Sequence, residues 1–170
     1  MIVTRPLRTD DLDAALAVER AAFGRADEAD LVQRLRVDGD ATLEWVTEAQ
    51  GRVIAHVLYS PVRIARGDDG RVLGLAPVGV MPAYQKQGIG DALIRQSLDA
   101  LRENGHVRAV VVLGEAAYYT RFGFAPASHH GLQDVYGGGD AFMALALRAG
   151  GLDGYGGRVD YAPAFDLLSE

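Results

Sequence analysis

Residues 71–113 constrain the fold most, because they read as a strand, a helix and a second strand in immediate succession. Arg71 to Met81 is almost continuously apolar, the pattern of a central strand covered on both faces. Gly88 to Glu103 carries Ile89, Leu93, Ile94, Leu98 and Leu101 at helical spacing, and Asn104-Gly105 stops it. Val107 to Leu113 is the most apolar strand of the chain. Two buried strands joined through a helix pair in parallel by a crossover. The chain therefore builds a sheet with helices packed on it.

The remaining segments surround that unit. Ile2 to Arg8 reads as an edge strand, and Thr9 is placed to cap a helix whose first turn carries Asp10 and Asp11. Leu12, Ala15, Leu16, Glu19 and Phe23 follow at helical spacing up to Gly24. A second helix runs from about Asp27 to Val37, with Leu31, Val32 and Leu35 inward. Thr42 to Glu48 alternates with period two, Gln50-Gly51 turns the chain, and Arg52 to about Ile64 is a long strand bent near Pro61. After the Asp68-Asp69-Gly70 turn, the Arg71 strand completes a three-stranded antiparallel meander. Glu115 to Phe122 is a short helix, and Gly123–Ala127 and Ala141–Leu147 form a last pair of strands. The glycines at 137–139, 150–151 and 156–157 read as loop. The expected class is α/β (α+β): one domain over residues 1–170, with Gly-rich loops and strands over about 128–170.

Composition narrows the chemistry. A chain of 170 residues has room for one core and needs no covalent staple. It has no cysteine, which excludes disulfides, thiolate zinc sites and cysteine nucleophiles. Lys and Arg number 17 against 23 Asp and Glu, a net charge of −6, which argues against a nucleic-acid backbone as partner. The first residues have no apolar signal region, and no apolar run approaches the ~20 residues that span a bilayer. A cytoplasmic protein without membrane or nucleic-acid partners is expected. His129-His130 has no carboxylate at ligand spacing, so no metal is expected there.

The chemistry concentrates where the Arg71 strand meets the long helix: Val78-Gly79-Val80-Met81-Pro82-Ala83-Tyr84-Gln85-Lys86-Gln87-Gly88-Ile89-Gly90-Asp91. Glycines allow close backbone approach, and the first N–H groups of a helix have no intrahelical partners. Those groups and the helix dipole suit a phosphate or pyrophosphate. Two common nucleotide loops fit poorly. A dinucleotide fold wants a third small residue where Leu93 stands, and a P-loop wants Lys-Ser/Thr where Asp91 follows Gly90.

Val78-x-Val80-x-Pro82-x-x-Gln85-x-x-Gly88-x-Gly90 resembles motif A of the GNAT acetyltransferases, spanning about residues 71–104. Tyr119-x-x-x-Gly123-Phe124 resembles the family's tyrosine before a Gly-Phe strand start. The stretch Leu113-Gly114-Glu115-x-x-Tyr118-Tyr119-x-Arg121-Phe122, with Phe23-Gly24 and Glu28-Ala29-x-Leu31-Val32, is similar to the YhbS-type group of predicted N-acetyltransferases. The resemblance covers most of the chain.

It implies a single domain with a mixed, mostly antiparallel sheet flanked by helices, and acetyl-CoA in a cleft between two splayed parallel strands. Backbone groups of Val78, Gly79 and Val80 would hold the pantetheine arm. Gln85, Lys86, Gln87, Gly88, Ile89, Gly90 and Asp91 would cradle the pyrophosphate. The implied reaction is direct acetyl transfer to a primary amine on a small molecule or peptide, with no metal. Tyr119 matches the position of the family's general acid, with Tyr118 as its neighbour, and the Val80 amide is the candidate for polarising the thioester. The strand Val107–Leu113 carries no acid, so the general base is open among Glu19, His56 and Glu115. Phe23 is a candidate for the amine site, and Tyr136 and Tyr155 either line it or anchor loops. Two other readings remain: an acyl-CoA-binding sensor without turnover, and an NAD-dependent oxidoreductase resting on Gly-x-Gly and Glu115. Either a monomer or a homodimer is compatible with the sequence.

Overall fold

The computed structural model describes residues 1–168. In chain order it contains β1 (Ile2–Pro6), α1 (Leu12–Phe23), α2 (Asp27–Asp38), β2 (Leu43–Ala49), β3 (Arg52–Pro61), β4 (Arg63–Arg66), β5 (Val72–Val80), α3 (Ile89–Asn104), β6 (Ala109–Leu113), α4 (Ala116–Tyr119), β7 (Ala125–Pro126), β8 (Leu132–Asp134), β9 (Phe142–Ala146) and β10 (Gly156–Asp160), with short 3-10 turns between several of them. The chain divides into two compact units. One comprises residues 1–60, 76–98 and the segment from 163 on; the other comprises 61–75 and 99–162.

In the first unit, β1 pairs antiparallel with β2 and β2 with β3, through the Gln50-Gly51 turn. Both turn residues have positive φ, which gives a two-residue hairpin its twist. Thr9 does not cap the following helix. Asp11 stands at the helix N-cap without a side-chain bond to the helix N–H groups: it is buried, its Oδ2 accepts the Arg8 N–H at 2.7 Å, and both its oxygens accept from Arg5. Arg5 also donates to Glu48 on β2, at 2.9 Å. This pairing holds the Asp11 carboxyl below its ordinary range. α1 ends at Gly24 and α2 at Gly39, both in the left-handed region. Leu31, Val32 and Leu35 face inward as their spacing requires. The 3-10 turn Pro163–Leu168 lies against α2.

In the second unit, β5 and β6 pair in parallel over Val72–Gly74, as the crossover pattern requires. β6 pairs antiparallel with β9, and β9 with β7. The segment expected to be one bent strand to Ile64 divides at Pro61. β4 leaves for a separate three-stranded sheet, β4-β10-β8. β2, β3 and the Arg71 strand β5 are still consecutive neighbours in their sheet, as expected, and β4 comes between β3 and β5 only along the chain. The Gly-rich C-terminal stretch, expected to be loop, contributes β8 and β10 to that second sheet. Gly157 adopts φ +88° beside Ala65 of β4, so its flexibility serves a bulged strand rather than a loop.

Gly74 sits where β5 passes Tyr161 and Val62. A Cβ there would lie 2.8 Å from a Tyr161 ring carbon and 3.1 Å from Val62. We expect Gly74→Ala to destabilise the protein by about 1–3 kcal/mol through overpacking, measured by urea unfolding.

Candidate active site

The pairing of β5 with β6 covers Val72–Gly74, and the end of β5 runs on past it. The N–H of Met81 donates to the Ile54 carbonyl on β3, at 2.8 Å. Peptide groups alternate along a strand, so those of Val78 and Val80 point to the opposite edge. Val78 and Val80 are half-exposed while Gly79 between them is buried. Pro77, just upstream, has no N–H to give a ladder. The Val80 carbonyl accepts from the Gln85 side chain at 2.9 Å, which ties the loop back to its strand.

That loop is exposed from Gln85 to Gly88. Tyr84 N–H donates to Met81 and Gln87 Nε2 to the Ala83 carbonyl, closing it on itself. Lys86 and Gly88 both take positive φ, +63° and +79°. Gly88 accepts the Ala92 N–H at 3.1 Å and so stands at the start of α3. The N–H groups of Ile89, Gly90 and Asp91 are then the first-turn donors that α3 itself cannot satisfy. Lys86 is exposed beside them.

Tyr119 is 8% exposed, packed edge-on against Tyr118 and Phe124 with centroids at 5.1 and 5.7 Å. Gly114 leaves the space its ring occupies, since a Cβ there would lie 2.5 Å from the ring. Burial pushes its phenol up to about 12, so it stays protonated at neutral pH. Tyr118 is half-buried under the Arg121 guanidinium, 4.6 Å from its ring. Glu115 is exposed, and its backbone carbonyl accepts the N–H groups of Tyr118 and Tyr119. Phe23 is exposed at the end of α1. Tyr136 is exposed too, whereas Tyr155 is buried and donates to Asp69 at 2.6 Å, which makes it a loop anchor.

Two of the three base candidates meet in the interior of the first unit. Glu19 on α1 and His56 on β3 are both fully buried. Glu19 Oε2 lies 2.5 Å from His56 Nδ1, and Glu44 Oε1 lies 2.7 Å from His56 Nε2. Glu44 stands on β2, two residues before the register partner of His56, on the same face of the hairpin. Arg36 of α2 donates to both Glu44 oxygens, at 3.1 and 2.8 Å, and to the Leu12 carbonyl. An imidazole facing a carboxylate on each side satisfies both only as the doubly protonated cation. The set Glu19, His56, Glu44 and Arg36 is then neutral overall. Sequence reading found Glu19 and His56 singly. It missed Glu44 and Arg36, whose only signal is period-two placement on β2 and the inner edge of α2.

Desolvation opposes the His56 charge, but hydrogen bonds and attraction from Glu19 and Glu44 exceed it and raise its pKa above 6.5. Burial raises Glu19, with His56 pulling the other way and Glu28 and Glu44 adding to the rise. Glu44 is lowered: burial opposes this, but His56 and Arg36 outweigh it. Among the described residues no group of three or more His, Asp or Glu is arranged to hold a metal ion. No described helix is long and apolar enough to cross a membrane.

The family model for the acetyltransferase (GNAT) domain matches residues 3–127. The chain belongs to the GNAT acetyltransferase family. It is 40% identical to the uncharacterized N-acetyltransferase YhbS of Escherichia coli K12 over 163 residues, 95% of each chain. The 1.55 Å crystal structure of E. coli YhbS in complex with CoA superposes with a TM-score of 0.91 at 38% identity, covering 97% of this chain and 92% of that one. A GNAT acetyltransferase from Brucella melitensis, in complex with acetyl-CoA, matches with a TM-score of 0.81 at 36% identity, over 98% of this chain and 99% of the other. These likenesses bear out the expected fold class, a mixed and mostly antiparallel sheet flanked by helices.

The buried cluster makes stability depend on pH. A raised His56 pKa stabilises the fold fully below 6.5, and that contribution is lost as pH rises through the folded value. Raised Glu19 acts with the same sign, because the folded state holds its proton longer than the unfolded chain does. Lowered Glu44 acts oppositely and loses its contribution as pH falls below about 4.5. We expect the melting temperature to fall as pH rises above 6.5, and His56→Gln to flatten that slope.

Proposed function

We propose that the chain transfers an acetyl group from acetyl-CoA to a primary amine, on a small molecule or a peptide, by direct attack in a ternary complex. The observation that carries this is the outward peptide edge of Val78 and Val80 leading into the exposed Gln85–Gly88 loop and the start of α3. A strand edge suits the amide-bearing pantetheine arm, and the helix start suits the pyrophosphate. The two relatives whose structures contain CoA and acetyl-CoA support the same ligand.

In this reading Val78, Gly79 and Val80 hold the arm and the thioester, and the Val80 N–H polarises the thioester oxygen as negative charge develops. Lys86, Gln87, Gly88, Ile89, Gly90 and Asp91 surround the pyrophosphate, while Gln85 fixes the Val80 carbonyl from inside the loop. Tyr119 gives a proton to the departing sulfur. Burial holds the phenol protonated at neutral pH, the form in which it has a proton to give. Phe23, exposed at the end of α1, is the candidate wall of the amine site.

Acetyl-CoA or CoA at about 100 times Kd stabilises by about 2.7 kcal/mol, which raises the melting temperature by several degrees, whereas NAD leaves it unchanged. A shift with NAD alone would overturn the assignment. Gly88→Glu places an anion and a strained positive-φ side chain in the cradle, and we expect CoA to bind at least tenfold more weakly by calorimetry. Tyr119→Phe should lower kcat by about 10²–10⁴ without weakening acetyl-CoA binding. Binding of acetyl-CoA with no thiol release for any amine would indicate a sensor instead.

A further inference from the structure

We infer that Glu19 is the general base, accepting the proton of the acceptor amine at Oε1, and that His56, Glu44 and Arg36 are the positioning chain behind it. The inference rests on the acetyl-transfer reading above and deepens it by choosing among three candidate bases.

Elimination gives the first argument. Both His56 nitrogens are engaged, Nδ1 by Glu19 and Nε2 by Glu44, so no lone pair of the ring is offered to a substrate. The Glu115 carboxylate is exposed and makes no hydrogen bond or ion pair with the described residues, so nothing fixes it for proton transfer. β6 carries no acid. Glu19 differs from both. Oε2 is locked to His56, while Oε1 is buried and has no partner among the described residues. A buried carboxylate oxygen without a donor is costly to leave so, which marks it as a group kept for a partner that comes and goes.

Position gives the second argument. Oε1 points at Gly79, close enough that a Cβ there would lie 2.5 Å from it, with the Ala22 Cβ alongside. Gly79 separates Val78 and Val80, the two residues read as the holders of the pantetheine arm and thioester. A side chain at residue 79 would displace the carboxylate. Glu19 therefore stands against the stretch of β5 where the acetyl group is expected. Glu19 is fully buried, so the amine's proton reaches Oε1 through a water held beside Gly79 in the ternary complex.

Electrostatics fit the task. Glu19 on α1 is faced by His56 from β3, Glu44 from β2 and Glu28 from α2, while Arg36 holds Glu44 and Arg25 holds Glu28. The imidazolium keeps Glu19 ionised, and burial with two further carboxylates makes it more basic than a surface glutamate. A carboxylate raised in this way is a stronger proton acceptor than an exposed one.

The step balances. The acceptor arrives as an ammonium and gives one N–H proton, through that water, to Glu19 Oε1. Its freed lone pair forms the C–N bond at the thioester carbon. The C–S bond breaks, its electron pair stays on sulfur, and the Tyr119 hydroxyl protonates the thiolate. The second proton lost as nitrogen becomes an amide restores Tyr119, and the proton on Glu19 leaves with product release. One proton is released to solvent per turnover.

The test follows thiol release from acetyl-CoA with a panel of primary amines, namely a lysine peptide, spermidine, benzylamine and a weakly basic amine already neutral at pH 7. Glu19→Gln is expected to lower kcat by about 10²–10⁴ for the strongly basic amines, by far less for the neutral one, and to keep acetyl-CoA affinity within about twofold. His56→Gln is expected to move the acid limb of kcat/KM to higher pH, since Glu19 loses the cation that keeps it ionised. Wild-type kcat in Glu19→Gln overturns the base. So does an equal loss for basic and neutral amines with no movement of the limb, which is the signature of a structural role. If Glu19→Gln does not fold, Glu19→Asp decides: a carboxylate drawn back by one methylene lowers kcat with KM for acetyl-CoA unchanged, and an undiminished kcat overturns the inference. A wild-type protein that binds acetyl-CoA but acetylates none of the panel overturns the acetyl-transfer reading and this inference together. Loss confined to the variants separates the two cases.

Discussion

A positively charged imidazole between two carboxylates, closed off from water, is the interaction on which the first compact unit depends. It joins α1, β3, β2 and α2 through Glu19, His56, Glu44 and Arg36. Taken singly each ion would be expelled from a dry interior. Taken together they are neutral and their hydrogen bonds are nearly complete, which is the condition for buried charge to persist. Removing one member leaves another uncompensated, a loss of about 3–5 kcal/mol in comparable buried pairs. The one unfilled acceptor, Glu19 Oε1, faces Gly79.

That arrangement explains the sequence of β5. Val78 and Val80 keep ordinary strand side chains on one face, and their peptide groups face the edge away from β3. Gly79 is required between them because the opposite face is filled by the carboxylate and by Ala22. The glycine is thus fixed by packing. A second bare position, Gly114, does the same for Tyr119 by giving its ring room to lie buried. In both places the absence of a Cβ lets a buried side chain approach the backbone.

The parts legible in the sequence are those governed by local rules. Helices α1, α2 and α3 and the strand–helix–strand unit follow apolar spacing and glycine stops, and the loop before α3 carries its own motif. Where tertiary partners decide, local reading fails for identifiable reasons. Thr9 has the chemistry of a cap, but it lies inside a 3-10 turn before the helix, and Asp11 at the N-cap commits its carboxylate to Arg5 and the Arg8 N–H. The Gly-rich stretch has the composition of a loop, yet β8 and β10 find β4 as a partner. Strand pairing over so long a separation leaves no local trace.

By itself the sequence determined the fold class and the family resemblance, and it singled out the Gln85–Gly90 loop as the candidate anion site. These depend on periodicity, glycine placement and the unfilled donors of a helix start, all properties of neighbouring residues. It left Glu19, His56 and Glu115 as equals, because each is an ordinary acid or base in an ordinary segment. Only the tertiary structure separated them. It buried Glu19 against Gly79, filled both nitrogens of His56 and left Glu115 in water. A proton-accepting role is set by desolvation and by which lone pairs remain open, and both are properties of packing across elements distant in the chain.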